Sequence, residues 1–331
     1  MVGRTVAIQF VRSTIDLAPQ GLDVDHVLRT AGISAALLRE DSARVTEVQA
    51  SRLIQALWQV TGDEMIGLGP RSIPRGTFRM VTLGLIHTAD LRTALRRFIE
   101  FAGIGIGFRV KEADDAHHTH MFFDPGGRTK TDQLALAIGM VVGHRFAAWL
   151  IGQQIALTSV ELPDPAPPHV AEFPLIFGVM PTFEAPRAVL TFDSRHLSAP
   201  LVRTEEELVA FIGNLPAALL FRQDYNPSTS SRVRRMIERR STESLVVEDV
   251  AKPLNISAQH LRRLLRDEGT TFRQIKEDIL RDEAIAALVR GRETVEELSV
   301  RLGFSEPSAF RRAFRRWTGS PPGAYRHGVS D

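Results

Sequence analysis

Apolar residues recur at three- and four-residue intervals over roughly 5–18, 22–39, 47–62, 89–101, 131–151 and 203–221, the spacing that lines one face of a helix. Between them lie shorter runs, 104–112, 117–123, 155–161, 179–184 and 188–193, which predict strands. "VKEADDAHHTHMFF" reads as two strands joined by an acidic turn. This mixed order makes residues 1–222 an α+β body. "RQDYNPSTSSR" (222–232) then breaks the pattern: it is polar, contains Asn-Pro, and ends in serines suited to cap the helix "SRVRRMIERR". A linker is therefore placed at 223–231. From 232 to 331 only helical periods and short turns remain, so the second domain is all-α.

That second domain repeats itself. "ISAQHLRRLLRDEG" (256–269) and "FSEPSAFRRAFRRWTG" (304–319) share an apolar residue and Ser, then apolar-Arg-Arg, a further apolar residue with Arg, and Gly. Leu261 matches Phe310, Arg262 and Arg263 match Arg311 and Arg312, Leu265 matches Phe314, and Arg266 matches Arg315, each 49 residues on. A short amphipathic segment precedes each copy, "SLVVEDVAKPLN" and "TVEELSVRLG". Helix, tight turn, helix is the arrangement that sets a second helix into the major groove of DNA.

Ser257 and Ser305 stand where the N-caps of the second helices belong. Leu261, Leu264 and Leu265, like Phe310, Phe314 and Trp317, fall at helical spacing and read as buried face. The other face carries positions 259, 262, 263 and 266 in one copy and 308, 311, 312 and 315 in the other. A solvated charge run is the ordinary explanation of clustered arginines. The same arginines in both copies favour DNA instead, because a guanidinium can pair with the O6/N7 edge of guanine or clamp a phosphate. "TFRQIKEDILRDEAIAALVR" (271–290) between the copies predicts a helix of roughly 30 Å. That is close to the roughly 34 Å between successive major-groove faces.

Composition sharpens this. The chain's 331 residues are 44% hydrophobic and 24% charged, ordinary for a globular protein of two domains. Net charge is only +2, yet residues 232–331 hold 20 Lys and Arg against 15 Asp and Glu, so the body is slightly acidic and the basic excess is C-terminal. No apolar run reaches membrane-spanning length, and the first residues lack a secretory pattern. With no cysteine, disulfides, thiolate metal sites and cysteine nucleophiles are excluded, and a cytoplasmic protein is expected.

Residues from about 232 to 326 resemble the AraC/XylS family of bacterial transcription regulators. Leu302-Gly303-Phe304, Phe310, Arg312, Phe314, Gly319, Pro322 and Tyr325-Arg326 carry the likeness. By position it implies base contacts from Gln259, Arg262, Arg263, Ser308, Arg311 and Arg312, and phosphate contacts from Arg266, Arg315 and Arg316. Three residues depart from the pattern. Pro253 lies within the first helix of the first unit, where it is expected to shorten it; Asn255 replaces a turn glycine; and Pro321 replaces a capping Ser or Thr. The body resembles the ornithine-utilisation and VirS type of these regulators, with an arabinose-binding-like N-terminal domain. "LIQALWQVTGDEMIGLG" (53–69), "TLGLIHTADLRTALRRFIEFAG" (82–103) and "FPLIFGVMPTFEAPRAVLTFDSRHLSAPL" (173–201) carry that second likeness. It implies a ligand-sensing and dimerisation domain at 1–222 joined to a double helix-turn-helix reader at 232–331. The expected partners are operator DNA, a small-molecule effector, a second copy of the chain and RNA polymerase, with no cofactor and no membrane. A body that binds a protein instead, or a reader indifferent to sequence, stays open at this point.

No enzyme chemistry stands out. "GIGIG" (103–107) fails the dinucleotide pattern, since positions 108 and 110 are Phe and Val and a strand follows. "HHTH" (117–120) places His118 and His120 on one strand face with no acid at useful spacing, and reads as a hairpin edge. His26, His87 and His144 are isolated. Walker, G-x-S-x-G and H-E-x-x-H motifs are absent.

Overall fold

The computed structural model describes residues 5–16, 18, 21–67, 72–102, 109–115, 117–124, 130–166, 170, 173–213, 215, 229–238 and 246–326, with backbone alone at 130–135 and 175. The chain forms two compact units. One comprises Met1–Asp16, Asp23–Ala56 and Pro227–Asp331; the other comprises Leu17–Leu22 and Leu57–Asn226. The apolar pattern groups residues 5–16 and 23–56 with the rest of the body, whereas the packed chain groups them with the C-terminal helices.

In the first unit, β1 (Thr5–Ala7) pairs antiparallel with β2 (Arg44–Thr46). Between them come α1 (Ile8–Asp16), α2 (Val24–Ala31) and a 3-10 turn at Ala35–Arg39. The expected helix at 5–18 thus begins as a strand, because Thr5–Ala7 find backbone partners in β2. The expected helix at 22–39 stops at Gly32, whose φ of 70° suits a residue without Cβ. α3 (Glu47–Thr61) follows β2, and its residues up to Ala56 belong to this unit.

The second unit holds α4 (Thr77–Ile86), α5 (Leu91–Phe101), β3 (Arg109–Asp114), β4 (His118–Asp124), α6 (Lys130–Leu150), β5 (Leu157–Glu161), α7 (Phe173–Phe177), β6 (Ala188–Asp193) and α8 (Glu205–Gly213). The strands form an antiparallel sheet in the order β3-β4-β6-β5. Residues 188–192 of β6 are all buried, as an interior strand covered on both faces requires. Its Leu190 and Phe192 share a core with Met121, Met140, Val160 and Ile151. A second core joins α4, α5, α6 and α8, with Trp149 stacked on Phe211 at 4.3 Å. The strand expected at 179–184 is reduced to a bridge between Thr182 and Glu161. Pro181 lacks a ladder donor, and Glu184 takes φ 56°. "GIGIG" lies outside the described residues, as do residues 223–228 of the expected linker.

The β3–β4 turn corrects one expectation. Asp115 does face the histidines: it accepts from the amides of His117 and His118 at 2.8 and 2.7 Å, and its other oxygen lies 3.1 Å from His120 Nε2. Those amide hydrogen bonds, more than the His120 contact, hold its carboxyl well below the usual range. Of the isolated histidines, His144 is buried with Nε2 2.7 Å from the Ile155 carbonyl, and His87 lies 2.8 Å from Glu205 at the surface.

After Pro227 the chain rejoins the first unit as α9 (Thr229–Glu238), α10 (Val247–Ala251), α11 (Ala258–Asp267), α12 (Phe272–Arg290), α13 (Val295–Arg301) and α14 (Pro307–Thr318). α12 is the spine: residues 284–288 are buried one after another, so it packs on every side. Asp282 on it is 3% exposed and would be costly unpaired. Arg234 of α9 donates to it at 2.5 Å, as does the hydroxyl of Thr5 in β1. The Arg44 amide also donates to Tyr325 Oη at 3.2 Å. These bonds tie β1 and β2 to the C-terminal helices. Among the described residues no helix is long and apolar enough to cross a membrane.

Candidate nucleic-acid interface

Each repeated unit is a short helix, a turn and a longer exposed helix. In the first, α10 ends at Ala251 and the chain tightens into a 3-10 turn at Lys252–Leu254, with Pro253 at its start. Pro253 therefore lies after the helix, where its missing N–H deprives no α-helical bond. Asn255 takes φ 55°, the left-handed turn conformation that Asn tolerates. Ser257 then caps α11 by accepting from the His260 amide at 3.1 Å. Leu261 and Leu265 turn inward onto Val233, Ile237, Val250 and Ile279. Gln259, Arg262, Arg263 and Arg266 are all exposed.

The second unit is built alike with different caps. Thr294 and Glu297 form a reciprocal capping box at the start of α13, and Gly303 makes the turn at φ 79°. Ser305 does not cap α14, contrary to expectation. The N-cap is Glu306, and Pro307 follows at the first helical position, where its ring presets φ and no amide needs a partner. Phe310 and Phe314 are fully buried; Phe304 stands edge-on to Phe310 at 5.4 Å, and Tyr325 edge-on to Phe314 at 5.2 Å. This aromatic cluster fixes α14 while Ser308, Arg311, Arg312, Arg315 and Arg316 face solvent. Gly319 ends the helix at φ 72°, and a Cβ there would fall 2.7 Å from Ser42 Oγ. Pro321 precedes a 3-10 turn at Pro322–Tyr325 and gives no side-chain cap.

All nine residues expected to touch DNA are thus exposed on α11 and α14, and the structure adds acids among them. Arg262 donates from Nη2 to Glu248 at 2.9 Å, and Arg311 from Nη2 to Glu296 at 2.5 Å. Ser308 Oγ donates to Glu306 at 3.0 Å, and Arg316 lies 3.8 Å from Glu277. Of these four acids, Glu248 and Glu296 hold arginines expected at base edges, and neither is among the residues expected to matter. Their signal was present in "VVEDV" and "TVEEL", where an acid holds the same place in both short helices.

The chain matches two family models. The first is described as the arabinose-binding domain of AraC transcription regulator, N-terminal, and matches residues 21–201; the second is a helix-turn-helix domain, matching 250–328. The ornithine utilization regulator of Pseudomonas aeruginosa is 24% identical over 97% of this chain and 96% of its own. The HTH-type transcriptional regulator VqsM of the same organism is 43% identical over 23% of this chain and 24% of its own. Among solved structures, the transcriptional regulator CdpR from Pseudomonas aeruginosa covers 97% of both chains at 18% identity, with a TM-score of 0.33. A family model over more than half of the chain and a helix-turn-helix model over its duplicated end agree with the two arginine-bearing helices: this protein belongs to the AraC family of transcription regulators, and is a DNA-binding regulator rather than an enzyme.

Proposed function

We propose that the chain reads operator DNA through both exposed helices and couples that reading to a small-molecule effector. The observation that carries the first part is the matched presentation of Arg262 and Arg263 on α11 and Arg311 and Arg312 on α14. Each pair is exposed above a buried apolar seam and preceded by a short supporting helix. Gln259 and Ser308 join these arginines at base edges, while Arg266, Arg315 and Arg316 hold phosphates. The helices would enter successive major grooves along one side of the duplex.

The effector reading rests on the model matched by residues 21–201, described by its arabinose-binding role, and on the relative named for ornithine utilization. Both names attach to small metabolites. A homodimer acting in the cytoplasm and contacting RNA polymerase completes the reading. Linkage gives the mechanism: an effector that prefers one conformation of the body shifts the chain towards it, and DNA affinity changes by the same coupling energy. The test uses the full chain, because a cut at residue 222 would remove β1, β2 and α1 from the unit that holds the reader. Melting is recorded against amino acids, organic acids, fatty acids and sugars. A binder at 100 times its Kd adds about 2.7 kcal/mol, and the same compound must change DNA affinity. A compound that raises melting yet leaves DNA binding untouched, or a panel without a binder, would overturn the coupling.

A further inference from the structure

Two ion pairs repeat with the same geometry. Glu248 is the second residue of α10 and Glu296 the second residue of α13. Each carboxylate Oε1 takes a hydrogen from Nη2 of the first arginine on the following exposed helix, Arg262 or Arg311. Exposure agrees as well: the side chains are 55% and 58% exposed in the Arg262–Glu248 pair, 53% and 57% in the Arg311–Glu296 pair. Pairs this open to water contribute little to stability. An acid on a DNA-facing surface also weakens attraction to phosphate. A feature that adds little stability, opposes affinity and still occurs in both copies calls for another role.

Geometry supplies that role. Each carboxylate takes a hydrogen bond from Nη2 alone, and among the described residues neither guanidinium makes another, so Nε and Nη1 stay available to a base edge. A guanidinium biased towards one orientation by that bond loses less freedom when it meets the paired acceptors of a guanine edge. The same carboxylate competes with any phosphate that would draw the arginine off the base. We propose that Glu248 and Glu296 are positioning residues that brace Arg262 and Arg311 for base edges and keep them off the backbone of wrong DNA. They set specificity at the expense of affinity. This rests on the base-reading role of the two arginines proposed above.

The test uses the full chain, a duplex enriched by the wild-type protein from a random library, and a duplex of scrambled sequence. Glu248→Gln and Glu296→Gln keep side-chain length and an acceptor but remove the charge. Each is expected to strengthen binding to scrambled DNA and to lower the selected-to-scrambled affinity ratio about five- to tenfold, the low end of what one bidentate base contact discriminates. On scrambled DNA the plot of log K against log salt should steepen by about 0.9, one added phosphate contact. On the selected duplex its slope should hold. In an Arg311→Ala background, Glu296→Gln should no longer change the ratio.

Affinity rising equally on both duplexes would show a merely repulsive acid and overturn the brace. So would a lowered melting temperature with the ratio unchanged, which would make the pair structural. If Arg262→Ala and Arg311→Ala leave the ratio unchanged, the base-reading role itself fails. If they lower it while the glutamine variants do not, only the brace fails.

Discussion

Arginines on α14 differ in what lies around them, and that difference sets their expected roles. Arg312 follows directly on Arg311 and makes no ion pair among the described residues, whereas Arg316 sits a turn further on, in the last turn of the helix, 3.8 Å from Glu277. A base contact should cost about 1–3 kcal/mol when removed and relax preference at one position. A phosphate contact should weaken all DNA alike and flatten the salt dependence by about one counterion. Arg312→Ala is therefore expected to lose affinity on its selected duplex and little on scrambled DNA. Arg316→Ala should lose the same on both. Binding titrations over a salt series separate the two, and equal losses for both variants on both duplexes would reverse the Arg312 assignment.

Elements were legible where a strong period met clear punctuation. α12 was readable because apolar spacing persists over its whole length, with Thr271 capping one end and Gly291 closing the other at φ 66°. α11 followed from Ser257 and its leucines. The start of α14 was misread because Ser305 has the right chemistry for a cap but stands one residue early: Pro307 presets the first helical φ and draws the boundary to Glu306. α4 was missed because its apolar residues run almost without interruption, from Met80 to Ile86, and show no helical period. The supporting glutamates were visible but unreadable as such, since an acid in the first turn of a helix ordinarily serves the helix dipole. Cap energetics follow. Ser257→Ala removes the bond to the His260 amide and should destabilise the reader by about 1 kcal/mol. Ser305→Ala should stay within about 0.5 kcal/mol, as for exposed positions without a structural role. Denaturant midpoints at constant slope measure both, and equal losses would restore the cap to Ser305.

On the scale of the whole molecule, the sequence divides the chain once, near residue 222, whereas the packed chain joins residues 5–16 and 23–56 to the C-terminal helices in its first unit. Apolar periodicity cannot show this, because a period identifies which face of an element is buried and not what buries it. The tie is made instead by single polar residues: Thr5 and Arg234 on Asp282, and the Arg44 amide on Tyr325. Such long-range pairs leave no local pattern. Their effect is to pack β1 and β2 against α12, the helix that joins the two repeats, so the reader's scaffold includes residues from far upstream in the sequence. On that scaffold the two arginine-bearing helices are proposed to read sequence and not merely to bind charge. The most direct measurement is a competition titration of the full chain between its library-selected duplex and a scrambled one at physiological salt. Reading by both helices predicts a ratio of about 10³ or more; a ratio near one, with affinity set only by salt, would contradict it.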